Sequence, residues 1–136
     1  MSYASQMLES DIASRIDPSQ LAETIDALGD CAQACTADAD ADLREDSVAS
    51  MVTCIRLCLD CSDVCTATRG VISRRAAYDE AVTGPLLAAC AETCARCREE
   101  CERHAHEHSH CMVCAEACRR CEQACRDLLA AGETSG

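Results

Sequence analysis

Phenylalanine, tryptophan and lysine are absent from this 136-residue chain, and Tyr3 and Tyr78 are its only tyrosines. Acidic residues outnumber basic ones 24 to 12, giving a net charge of −12. Without a basic surface or stacking platforms, nucleic-acid binding loses its electrostatic footing and its base-stacking surfaces, and no nucleic-acid partner is expected. No stretch approaches the roughly 20 apolar residues of a membrane span, so no membrane partner is expected either. The first sixteen residues lack a basic n-region and an apolar h-region, and the expected setting is the reducing cytoplasm. Leucine, isoleucine, valine and phenylalanine together number 21, about 15% of the chain. That is too little for an aliphatic core, and with this net charge the default would be disorder.

The abundant residues point the other way. Fifteen cysteines and 24 alanines can line an interior that large side chains do not fill, because a free thiol packs as a small apolar group. The cysteines stand at Cys31 and Cys35; Cys54, Cys58, Cys61 and Cys65; Cys90, Cys94, Cys97 and Cys101; and Cys111, Cys114, Cys118, Cys121 and Cys125. Within these groups the gaps are threes and fours, the period of a helix seam. Four stripes predict four helices. The fold class is therefore all-α, an antiparallel up-down-up-down four-helix bundle with a short extra N-terminal helix over 2–14. No run alternates with period two over strand length, so no sheet is predicted.

Local signals supply the ends. Asp17, Pro18 and Gln20 read as an N-cap, a first-position proline and a capping-box partner, which opens a helix over 17–43. The second is expected over 46–69, closed by Gly70, and the fourth over 109–131, closed by Gly132 with 132–136 as a disordered tail. Between them, proline in a helix interior costs about 3 kcal/mol. The third helix is either capped by Asp79 and distorted at Gly84–Pro85 or, as this cost favours, spans 83–107, starting at Thr83 with Pro85 in its first turn or after a short separate turn. The whole bundle, 1–131, forms one domain.

Seven CxxxC pairs follow from the spacing. Cβ atoms four residues apart on a helix lie about 5–6 Å apart, so two thiolates can converge on one ion from a single helix. An all-thiolate environment selects Cu(I), Zn(II) or iron–sulfur clusters. Structural zinc usually gathers a closed tetrahedral set from separate loops, and clusters draw cysteines from irregular segments. Cu(I) tolerates low coordination numbers, so each pair can serve as a site and bridging sulfurs can link sites together. Mere packing explains the stripes poorly, since alanine or valine would fill a seam without oxidation risk. The CxxC spacings, such as Cys58/Cys61 and Cys118/Cys121, suggest thiol redox chemistry. Such chemistry needs a reactive thiol at a helix N-terminus near a βαβ unit, and none is predicted.

The stripes extended past their cysteines distinguish two ends. Leu21, Thr24, Leu28, Ile72, Leu87 and Leu128 make one end a dry plug. The other carries Met51, His104, His108, His110 and Cys111, thioether and imidazole groups suited to passing Cu(I) between sites, and is the expected metal entrance. Asp38 and Asp42 continue the first stripe there and are read as solvated carboxylates that keep the mouth wet. His106 is out of phase and is read as solvated.

The segments CIRLCLDCSDVC (54–65), CAETCARCREECERH (90–104) and CMVCAEACRRCEQAC (111–125) resemble the cysteine-rich four-helix-bundle copper-binding family, most nearly its cytosolic copper storage members. The resemblance spans about 20–130. It implies a non-enzymatic store and detoxifier that holds many Cu(I) ions on inward thiolates, loads through a histidine-containing end and assembles as a homotetramer. Protein or small-molecule copper donors and acceptors are the expected partners. A departure is that the first helix carries only Cys31 and Cys35. A zinc- or iron–sulfur-binding regulatory or structural module is the second reading.

Overall fold

A computed structural model of the chain describes residues 2–9, 16–74 and 80–135. The described elements are α1 (Tyr3–Glu9), α2 (Pro18–Leu43), a 3₁₀ turn (Val48–Met51), α3 (Val52–Ser73), α4 (Glu80–His104) and α5 (Ser109–Ser135). The four long helices form a closed ring in which α2 packs on α3, α3 on α4, α4 on α5 and α5 on α2. Antiparallel packing is visible in the sulfur pairs across neighbours. Cys54 meets Cys101 while Cys65 meets Cys90, and Cys31 meets Cys118 while Cys35 meets Cys114.

Asp17 caps α2 as expected, its carboxylate accepting from the Ser19 amide at 3.0 Å with Pro18 following. Other boundaries differ from expectation, and tertiary packing explains most of them. Helix α3 passes through Gly70 to Ser73 because Ile72, one step further along the stripe, is fully buried. It also begins later than 46: Ser47 turns its hydroxyl to the Met51 sulfur at 3.9 Å, and a 3₁₀ turn precedes the α-helix. Helix α4 begins at Glu80 and keeps Pro85 inside, which overturns the start at Thr83. Its stripe reaches back to buried Thr83, and Gly84 has no Cβ to clash with the proline ring.

At its other end α4 stops at His104 rather than 107, and residues 105–107 form the turn into α5. Helix α5 runs on to Ser135, so 132–135 continue the helix instead of forming a disordered tail. Nothing packs within 4 Å of a Cβ built at Gly132, so glycine there costs only intrinsic propensity, about 1 kcal/mol. Helix α1 ends at Glu9, docked on α2 through buried Leu8. The expected remainder of that helix, 10–14, and the Asp79 cap lie outside the described residues, as does Gly136.

The plug is as expected. Leu21, Thr24, Leu28, Ile72, Leu87 and Leu128 are buried together at the end where α2 begins. Thr24 and Thr68 return their hydroxyls to backbone carbonyls four residues back, so these buried polar groups leave no donor facing the tube. Among the described residues, no helix is long and apolar enough to cross a membrane.

Candidate metal centre

The four stripes converge on the bundle axis. All fifteen cysteines have 0% exposure and all are free thiols. Neighbouring sulfurs lie 3.6 Å apart for Cys35 and Cys114 and up to 4.0 Å for Cys97 and Cys101, far beyond the roughly 2.05 Å of a disulfide. Some contacts join residues four apart on one helix, as in Cys31/Cys35 and Cys61/Cys65. Others cross between helices, as in Cys65/Cys121 and Cys58/Cys114.

The donors gather in overlapping quartets whose ligand atoms lie within 4.8 Å of one another. Toward the plug, Cys31, Cys65, Cys94 and Cys121 form one. Cys31 also belongs to a second with Cys35, Cys61 and Cys118, and Cys35 and Cys118 to a third with Cys97 and Cys114. Cys97 and Cys114 recur with Cys58 and Cys101, and those last two recur with Cys54 and Asp38. Sulfur after sulfur is thus shared between successive groups, which is the arrangement a chain of bridged soft cations requires.

Protonation follows from this crowding. Cys31 and Cys97 are pulled down by their hydrogen bonding with neighbouring thiols, Cys118 foremost for the first and Cys101 for the second. Cys35 and Cys101 are pushed up, each chiefly by Cys114. Adjacent sulfurs so close in a dry interior cannot all ionise without a counter-cation, and bound metal supplies one.

The mouth differs from expectation in one respect. Asp38 and Asp42 are not solvated: they are 2% and 0% exposed and lie in the sulfur tier. Residues 28, 31, 35, 38 and 42 follow one helix face, and packing against α3, α4 and α5 closes water off from all of it. Asp38 accepts from Cys58 at 3.4 Å, Cys101 at 3.5 Å and Cys111 at 3.5 Å. Burial raises its pKa, although the His110 bond opposes the shift. Asp42 is raised to about 8 by burial and by the charge of Asp38, and its Oδ2 atom has no hydrogen-bond partner.

The other mouth residues sort by distance from these carboxylates. His110 is central: its Nδ1 meets Asp38 and also lies 3.2 Å from Asp42, and its Nε2 is 3.0 Å from Glu45. Burial opposes the imidazolium, but the bonds to Asp38 and Glu45 prevail and its pKa is raised. Cys111 sits 3.6 Å from the His110 Nδ1 atom, its thiol pushed up by burial and by both aspartates. His108 stacks on His110 with ring centroids 5.2 Å apart and faces Glu45 at 3.5 Å. His104 is mostly buried and bonded to Glu100 at 3.1 Å. Met51 is fully buried, and His106 is 73% exposed beside Glu107. Glu45 also joins the mouth; it lies in the loop after α2, and its only signal in the sequence is that position 45 continues the register of 31, 35, 38 and 42.

The copper storage protein family model matches residues 17–130, from the α2 cap to the penultimate turns of α5. The copper storage protein Ccsp from Streptomyces lividans, solved loaded with 10 copper equivalents, is 52% identical with a TM-score of 0.91, covering 93% of this chain and 98% of that one. A cytosolic copper storage protein from the same organism, solved with five coppers, is 57% identical with a TM-score of 0.81, covering 82% of this chain and 93% of its own. An uncharacterised cysteine-rich protein of Bacillus subtilis (strain 168), YhjQ, is 33% identical over 84 residues, 62% of this chain and 74% of that protein. With the match running through all four long helices and every cysteine, the chain belongs to the copper storage protein family.

Proposed function

We propose that this chain is a cytosolic store that holds several Cu(I) ions on its buried thiolates and so withholds them from the cell. The observation that carries the reading is the set of fifteen fully buried, free thiols in overlapping quartets. Soft thiolates select Cu(I), and shared sulfurs allow more ions than separate four-sulfur sites would. Ions enter between α2, α4 and α5 at the histidine end, because buried aliphatic side chains close the other. There His110, His104, His108 and Met51 serve as intermediate ligands that pass Cu(I) inward from a donor, with Asp38 completing the group of Cys54, Cys58 and Cys101. The role is storage, with no catalytic step, and the protein works as a homotetramer.

Anaerobic titration of the reduced protein with Cu(I) against a competing chelator tests this. Saturation well above two ions per chain is expected, and saturation at one or two would reject storage. His110→Ala should slow loading and leave final capacity within about one ion of wild type, while His106→Ala should change neither.

A further inference from the structure

We infer that the copper-free chain also holds zinc, or another divalent ion that prefers tetrahedral sulfur, at three stacked sites that share no residue. The quartets along the axis divide in two ways. Taken in succession, each shares sulfurs with the next. Taken alternately, three of them are disjoint. The first is Cys31, Cys65, Cys94 and Cys121; the second is Cys35, Cys97, Cys114 and Cys118; the third is Asp38, Cys54, Cys58 and Cys101. A tetrahedron with Zn–S bonds of 2.3 Å has edges of about 3.8 Å. The corresponding contacts match: Cys65/Cys94 and Cys65/Cys121 are each 3.8 Å, Cys35/Cys118 is 3.7 Å, and Cys58/Cys101 is 3.8 Å. A carboxylate beside three thiolates is an ordinary zinc set, and Asp38 is already held among those sulfurs. The remaining thiols, Cys61, Cys90, Cys111 and Cys125, cannot make a fourth site. Cys111 and Cys125 are fourteen residues apart on α5, about 21 Å at the helical rise.

The two divisions exclude one another. A copper ion in the quartet of Cys31, Cys35, Cys61 and Cys118 takes sulfurs from the first and second zinc sites, and one in the quartet of Cys58, Cys97, Cys101 and Cys114 takes them from the second and third. A four-thiolate zinc site also keeps two negative charges in a dry interior, which burial penalises. Zinc is therefore the weaker occupant, and arriving Cu(I) expels it. Zinc can bind these sites whether or not copper does, so zinc occupancy and copper storage stand or fall separately.

The experiment titrates Zn(II), and Co(II) as its coloured surrogate, into the reduced full chain without oxygen, counting ions by native mass spectrometry. Wild type should saturate at three ions per chain, with the intense thiolate-to-cobalt bands of tetrahedral sites. The triple variant Cys58→Ala/Cys65→Ala/Cys118→Ala removes a sulfur from each of the three sites and from the two quartets between them, and should hold at most one ion. Circular dichroism confirms that the variant keeps its helices. Saturation of wild type at any other ratio, octahedral cobalt spectra, or a triple variant that still takes two or three ions would overturn the inference. Cu(I) added to the zinc form should release all three ions to a chromophoric zinc chelator; zinc retained at copper saturation would overturn the shared-sulfur argument.

Discussion

Replacing Asp42 with asparagine isolates the electrostatic cost of the mouth. Its carboxyl has no exposure, has one oxygen without a partner, and ionises at about 8 instead of its ordinary 3.8, because burial and the Asp38 charge both oppose the anion. Below about pH 4 the group is protonated in the folded and unfolded chains alike, and the stabilisation tied to its raised pKa is fully present. Between about 4 and 8 the unfolded chain has lost this proton while the folded chain keeps it, so stability falls as pH rises. The limiting slope is about 1.4 kcal/mol per pH unit, so at most about 2.8 kcal/mol is lost between pH 5 and pH 7. Asparagine fills the same volume and cannot ionise. Anaerobic urea unfolding of the copper-free, reduced protein at several pH values between 5 and 7.5 reads the effect. General repulsion in a chain of net charge −12 tilts both proteins equally, so the difference between them is diagnostic. Wild type should lose stability with pH more steeply than Asp42→Asn. Parallel curves would refute the claim that this buried carboxyl keeps its proton near neutrality.

The two ends should respond differently to mutation. Leu28→Ala removes a fully buried side chain from the plug and should cost about 2–5 kcal/mol in copper-free stability while leaving Cu(I) capacity within one ion of wild type, as urea unfolding and chelator titration would show. Copper affinity should weaken as pH falls, because every thiol that becomes a ligand must first release its proton. Competition titrations at pH 6 and pH 8 check this, and equal affinity at the two values would mean that the array is already ionised when empty.

The bundle was legible because its core is made of one residue type at helix spacing. Cysteine is small and apolar enough to be buried, yet distinctive enough that threes and fours stand out where a leucine seam would blur into other apolar residues. What failed was punctuation. Gly70 and Gly132 read as helix stops and Pro85 as a helix start, but the helices run past all three. A glycine in a helix interior costs about 1 kcal/mol and a proline about 3, whereas burying Ile72 alone restores about 1.5–3 kcal/mol, and the α4 turn before Pro85 carries buried Thr83. Local propensity sets a helix end only where no core contact lies beyond it.

The aspartates show the limit of reading a site from residue type. Their phase was visible, since 38 and 42 continue the positions of Cys31 and Cys35. Their charge argued for solvent, because a carboxylate is rarely buried without partners. The structure supplies the partners from three other elements: Cys58 from α3, Cys101 from α4, and His110 and Cys111 from α5. No single helix carries that information, and sequence periodicity reports one helix at a time. The same geometry fixes what the carboxylates contribute. With thiolates in their places, the tier nearest the surface would consist of sulfur alone; with Asp38 and Asp42 there, the outermost donors are harder and bonded to a histidine. On the loading route proposed above, a soft ion at the mouth would gain by moving inward to an all-sulfur tier, and the ligand gradient along the axis would give loading its direction.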